Sequence, residues 1–222
     1  MFCMESLTEA IERLTSVARE RVRGDPVPAG IDEVHVPVGL FLARGDRAGE
    51  GKVLAEQVVA SYGYWHLDAG QDFDMVFFGW GYDGIPTFQP TAFLDCVREL
   101  AQLANWRYGG ETEILLLDFV VPVRAGAGRF AFDEVIWLPV EEMIRDKRLP
   151  HLDKLMNDLV VLTKGLKPQD AEGATWQLSD RIARSKQGLW LDGVKAALPL
   201  GLGKVYDGLR PYAVCDLTRK DR

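Results

Sequence analysis

Apolar residues recur along the chain with two different periods, and the change from one to the other marks out its elements. Leu7, Ile11, Leu14, Ala18 and Val22 repeat at helical spacing, which predicts an amphipathic helix over residues 6–23. Ser6-Leu7-Thr8-Glu9 has the form of a capping box at its start. Gly24-Asp25-Pro26 stops it, with Arg19, Arg21 and Arg23 near its negative end. Val34 to Ala43, VHVPVGLFLA, reads as a buried strand. Pro37 has no N–H to give a ladder, so either the strand begins after it or Pro37 marks a bulge or an edge. The polar stretch RGDRAGEG leads to a helix from about Lys52 to Tyr62, with Val53, Leu54, Val58 and Val59 on its apolar side.

The next pattern predicts a hairpin. Tyr64 to Leu67 and Phe73 to Trp80 are its arms, Asp68 to Gln71 is its turn, and Gly81 to Gln89 is a loop. Pro90 to Arg107 is helical, with Phe93, Val97, Leu100 and Ala104 on one face. Glu113 to Val123 and Arg129 to Leu138 read as an antiparallel strand pair joined by a turn at Ala125 to Gly128. Helices are predicted over Val140 to Lys147, His151 to Lys164 and Thr175 to Gln187, and a last strand over Tyr212 to Leu217. Strands gather before residue 140 and helices after it. The expected fold class is therefore α/β or α+β: a mixed sheet with antiparallel hairpins, flanked by helices, with a helical C-terminal layer. One domain over residues 1–222 is expected, with a sheet-rich core in 1–138 and the helical layer in 139–222.

Composition adds exclusions. A 47% hydrophobic share with 27% charged residues is that of a globular chain, not a disordered one. The net charge of −7 opposes a nucleic-acid role, since phosphate binding needs a basic stripe. The short basic clusters Arg19 to Arg23 and Arg181 to Lys186 have Glu20 and Asp180 among or beside them. No apolar run approaches the ~18 residues that argue for a membrane span, so no membrane partner is expected. Cys3, Cys96 and Cys215 are odd in number and widely spaced, which fits a reducing, cytoplasmic setting better than a disulfide framework.

Candidate chemistry concentrates in Trp65 to Gly84, WHLDAGQDFDMVFFGWGYDG. His66, Asp68, Asp72, Asp74 and Asp83 are its acid–base and metal candidates: His66, Asp74 and Asp118 for catalysis, Asp68 and Asp74 for a metal. Gly79 stands where a calcium loop beginning at Asp68 would need Glu, so that motif is excluded. Asp68 and Asp72 are more simply explained as turn residues capping backbone N–H groups. The rings interleaved with glycine suggest a contact surface instead. Trp65, Gly79, Trp80, Gly81, Tyr82 and Asp83 are its candidate binding residues, because glycine lets a flat ligand or a partner chain approach the backbone closely. Core packing competes for Phe77 and Phe78, which alternate across a strand.

A phosphate loop is suggested by the layout strand, RGDRAGEGKV, helix, with Gly51 and Lys52 as candidates. Asp46 stands where the motif's first glycine belongs, Gly45 comes one residue too early, and Val53 replaces the metal-binding hydroxyl. Ile114 to Asp118 has the form of the companion acidic strand. Asp118 itself, inside LLLDFVV, is expected to be buried and hydrogen-bonded to a Trp, Tyr or Arg across the sheet. No Gly-x-Ser-x-Gly elbow is present, and no cysteine has a histidine near it in sequence.

Two segments, LDAGQDFDMVFFGWGYDG and WRYGGETEILLLD from Trp106 to Asp118, resemble a group of bacterial proteins associated with defence or conflict systems. The likeness spans residues 62 to 165 and carries no catalytic signature. It implies an accessory or interaction role and brings no cofactor or functional residue with it. The expected function is thus a non-enzymatic module that meets a protein partner or small ligand, with no cofactor. The alternatives are a metal-assisted hydrolase or transferase and a degenerate nucleotide binder.

Overall fold

Strands that are apolar on both faces need helices on both faces, and the chain supplies them. The computed structural model describes residues 2–22, 32–47, 52–54, 56–57, 61, 73–82, 86–147, 149–165 and 216–219. Strands β1 (Phe2–Met4), β2 (Glu33–Leu42), β3 (Asp74–Phe78), β6 (Glu113–Pro122) and β7 (Arg129–Pro139) form one sheet in the order β1-β3-β2-β6-β7. A separate antiparallel pair is made by β4 (Trp80–Tyr82) and β5 (Pro86–Phe88). The helices are α1 (Leu7–Val22), α2 (Pro90–Leu103), α3 (Val140–Arg145) and α4 (Leu152–Gly165). β1, β3 and β2 run parallel, while β6 opposes β2 and β7 opposes β6, so this is an α/β fold with a mixed sheet.

Side-chain alternation splits the core into two layers. Val38, Leu40, Val76, Phe78, Leu115 and Leu117 pack with Leu7, Ala10 and Leu14 of α1 and with Phe93, Cys96 and Leu100 of α2. Phe41, Met75, Phe77, Ile114, Leu116 and Ile136 pack on the other side with Met143 of α3 and with Leu152, Leu155, Met156 and Leu159 of α4. Each fully buried Phe or Leu stabilises the fold by about 1.5–3 kcal/mol relative to exposure, so this double layer is the main source of stability. Among the described residues, no helix is long and apolar enough to cross a membrane.

Local signals explain the helix ends. Ser6 Oγ accepts the Glu9 N–H at 3.1 Å, as the capping box predicts. The Glu9 carboxylate reaches one residue further back than the box requires, taking the Glu5 N–H at 3.0 Å. α2 begins with Pro90, whose missing N–H costs nothing at that position.

The sheet corrects three expectations. Phe73 to Trp80 is not the arm of a hairpin: Val76 and Phe77 lie in the sheet interior, with Phe2 and Cys3 of β1 on one side and Leu40 and Phe41 of β2 on the other. The chain instead turns sharply at Gly79 and enters β4. The Gly81 to Gln89 loop contains β5, and residues 2–4, ahead of the predicted first helix, form β1, where no element was expected. Pro37 lies inside β2, which pairs with β6 throughout but with β3 only from Val38 onward. Among the described residues Pro37 therefore belongs to an edge-like segment, one of the options its chemistry allowed. The predicted helix at Thr175 to Gln187 lies outside the described residues, as do Tyr212 to Cys215 of the last strand.

Candidate functional site

The ring-and-glycine segment is a packing seam at the positions the structure describes. Gly79 has φ 75°, and a Cβ there would come within 2.9 Å of the Phe93 Cα. A Cβ on Gly81 would lie 2.7 Å from both Gln89 Nε2 and Glu5 Oε1, which are hydrogen-bonded to each other at 2.6 Å. Trp80 is only 5% exposed and belongs to the core beside Phe41 and Leu54. These glycines admit neighbouring protein rather than a ligand, and Trp80 is not a surface residue. Tyr82 enters as the last backbone position of β4, while Trp65, His66, Asp68, Asp83 and Gly51 lie outside the described residues.

The two described acidic candidates, Asp74 and Asp118, do not converge. Asp74 shares its sheet face with Val76 and Phe78, whereas Asp118 shares the opposite face with Ile114 and Leu116, and β2 separates their strands. One metal cannot bridge them. Among the described residues, no group of three or more His, Cys, Asp or Glu side chains is placed to hold a metal ion. Asp118 is buried and bonded across the sheet, but a partner there is His35, a residue type not expected, whose Nδ1 lies 3.1 Å from Asp118 Oδ2. The sequence reading missed His35, since only the antiparallel register of β2 and β6 brings it to Asp118. Beside this pair, Arg129 clasps Glu33 through two hydrogen bonds of 2.7 and 3.1 Å. Arg129 holds the Glu33 carboxyl below its usual range.

The phosphate-loop layout fails on topology. β6 runs antiparallel to β2, so Asp118 sits opposite Pro37, in the middle of β2 and away from the loop that follows Leu42. The described residues on either side of 48–51 pair with one another. Arg44 makes a two-point contact with Asp46 at 3.0 and 2.8 Å, and Lys52 lies 3.7 Å from Glu56.

A different constellation gathers where the parallel strands end. The connection leaving β2 runs to the α3/α4 face, where Leu54 packs, while the chain leaving β3 runs to α2 on the opposite face. The carboxyl ends of two strands that diverge in this way are the usual ligand position in open α/β sheets. Here Phe88 of β5 covers them, half-buried and packed against both core layers, and a Cβ on Gly45 would lie 2.8 Å from the Phe88 Cβ. Rings continue from there as a ladder: Trp80 to Phe88 at 5.2 Å, Phe88 to Phe93 at 5.6 Å, Phe93 to Tyr108 at 5.2 Å and Tyr108 to Trp106 at 6.3 Å. Tyr108 is half-buried amid Glu113, Glu141, Arg47 and Arg44, and burial first, then the two carboxylates, pushes its hydroxyl pKa upward. The Arg44 and Arg47 side chains retain 38% and 41% exposure at this rim.

Two buried carboxylates hold the rim in place. Glu141 accepts the Thr112 N–H and hydroxyl at 2.9 and 2.8 Å. Arg47 reaches it at 3.4 Å while also donating to the Gly110 carbonyl at 2.6 Å. Glu113 accepts the Gly109 N–H at 2.7 Å and the Trp137 indole N–H at 2.8 Å, and Trp106 donates to it as well. Burial nevertheless outweighs these donors and raises the Glu113 pKa. A raised native value means that the stability this group contributes is complete below its ordinary value near 4.5 and is lost as pH rises through the native one. Relative to Glu113→Gln, the wild type should therefore lose stability as pH rises above about 4.5 in urea unfolding. A difference that does not change as pH rises would contradict the burial argument.

Fold and rim together define an α/β sandwich with an aromatic–arginine rim over the carboxyl ends of its parallel strands. Compared with protein-family models, curated proteins and solved structures, the chain matches none of them.

Proposed function

We propose that this is a non-enzymatic binding module, an accessory or interaction protein working in a reducing, cytoplasmic setting, that meets a protein partner or small ligand at the carboxyl-end rim. The observation that carries the reading is the placement of Phe88, Tyr108, Arg44 and Arg47 over the carboxyl ends of β2 and β3. Ring faces beside guanidinium groups suit a flat group bearing hydrogen-bond acceptors. The buried carboxylates support a binding role over a catalytic one, because Glu113 and Glu141 accept the hydrogen bonds that shape the rim. The free thiol of Cys96 is buried, and burial, with Glu99 and Asp95 nearby, pushes its pKa up to about 12, as for an inert packing residue.

The test is an amide chemical-shift titration with aromatic carboxylates and mononucleotides at millimolar concentration. Shifts should cluster at Arg44 to Arg47, Phe88 and Tyr108 and shrink at least about fivefold in Arg44→Ala, the loss of roughly 1 kcal/mol expected for one charge-assisted hydrogen bond. Shifts centred elsewhere, or unchanged in the variant, would overturn the reading.

A further inference from the structure

The rim stands over a buried hydrogen-bond donor. Trp80, the first residue of β4, is 5% exposed, and its Nε1 is buried with no acceptor among the described residues. The other described tryptophans, Trp106 and Trp137, both donate their indole N–H to Glu113, so the fold supplies acceptors to them and not to Trp80. A buried N–H without a partner is costly, and native folds keep few of them. The layer around Trp80 is apolar: it packs with Phe41, Leu54, Phe73 and Phe77, and its ring lies 5.2 Å from that of Phe88. The same ring meets the loop that carries the rim arginines. A Cβ on Gly45, between Arg44 and Asp46, would lie 2.9 Å from Trp80 Cη2. Nε1 and Cη2 share an edge of the indole, which places the N–H close to that loop.

We infer that this N–H is the inner anchor of the rim's ligand, and that the ligand is a flat aromatic ring with a neutral acceptor at one end and an anionic group at the other. The inner acceptor is a ring nitrogen or a carbonyl oxygen, because one neutral donor in an apolar layer does not offset the desolvation of a charge. The anionic group stays at the surface, where the Arg44 and Arg47 side chains keep 38% and 41% exposure. The way in is past Phe88. It is half-buried while its ring neighbours Trp80 and Phe93 are buried, so it is the ring that loses least by turning aside. The inference rests on the rim as the binding site and adds the chemistry of what binds there.

Two probes of one shape separate it from that reading. Quinoline-6-carboxylate has its ring nitrogen on the ring away from the carboxylate, and 2-naphthoate has carbon there. Each is titrated at neutral pH into the full chain labelled with a nitrogen isotope, and amide and indole resonances are followed together. Both should shift the amides of Arg44 to Arg47 and of Phe88. Quinoline-6-carboxylate should bind at least about fivefold more tightly, the worth of one such hydrogen bond, and it alone should move the Trp80 indole proton downfield. In Trp80→Phe that preference should vanish, and the wild-type indole shift decides the matter by itself where the variant does not fold. Rim shifts with equal affinities and an unmoved indole proton would overturn the inference and leave the rim reading standing. Absence of rim shifts with either probe would overturn both.

Discussion

Gly79→Ala is expected to destabilise the protein by about 2–5 kcal/mol, a fall of roughly 10 °C in Tm for a chain of this size. Two costs add. A backbone at φ 75° disfavours an L side chain by about 1–2 kcal/mol. The new Cβ would also press on the Cα and N of Phe93, at 2.9 and 3.0 Å, and these are main-chain atoms of α2. A side chain can rotate away, but a helix must shift as a body, and overpacking of that kind costs about 1–3 kcal/mol. Gly79 also joins three elements: its N–H donates to the Met4 carbonyl at 2.8 Å and its carbonyl accepts the Gln89 N–H at 2.7 Å. Gly110→Ala is the control. Gly110 has φ 91° but nothing within 4 Å of a new Cβ, so only the backbone cost of about 1–2 kcal/mol applies. Urea unfolding followed by circular dichroism compares the two, and equal losses would show that the contact with α2 is not rigid.

Gly79 also shows why the sequence was readable for elements and not for the site. The periodicity of α1, α2 and α4 and the apolar runs of β2, β6 and β7 locate those elements, because each period reflects the faces that must be buried. The glycines and rings of GWGY are equally visible, but two causes leave the same mark. A glycine is needed wherever backbone comes close, whether to a ligand or to α2, and only the tertiary arrangement says which. β3 illustrates the same limit. Its apolar run fits a hairpin arm or an interior strand, and strand order settles the matter, which depends on residues far away in sequence. The rim was less legible still. Arg44 and Arg47 come from the loop after β2, Phe88 from β5, Tyr108 from the loop after α2 and Glu141 from α3, so no short window holds them. Asp118 stood out as a carboxylate in an apolar run, while His35 attracted no notice until the β2–β6 register set it 3.1 Å away.

Glu113→Ala should cost about 3–5 kcal/mol at neutral pH, with Glu113→Gln costing about 1 kcal/mol. The carboxylate is 2% exposed and receives the Gly109 N–H and the indole N–H groups of Trp137 and Trp106. Alanine leaves those donors facing a space without an acceptor, at about 1–3 kcal/mol for each one that water does not reach. Loss of a costly buried charge offsets part of this, which is why the estimate stays below the sum of three orphaned donors. Glutamine keeps an acceptor oxygen but turns its amide toward one of the donors, so its penalty is smaller. A double-mutant cycle separates the anchor from general damage: Trp137→Phe should cost about 1–2 kcal/mol alone and at least ~1 kcal/mol less beside Glu113→Ala, because the lost interaction is shared. Additive losses would mean that Glu113 and Trp137 stabilise the fold independently. The same substitution reaches the rim, since Glu113 ties Gly109, next to Tyr108, to the first residue of β6. At a urea concentration where Glu113→Ala is still folded, the Tyr108 and Gly109 amides should therefore exchange faster than those of β2, and chemical-shift changes at the rim should weaken together with them.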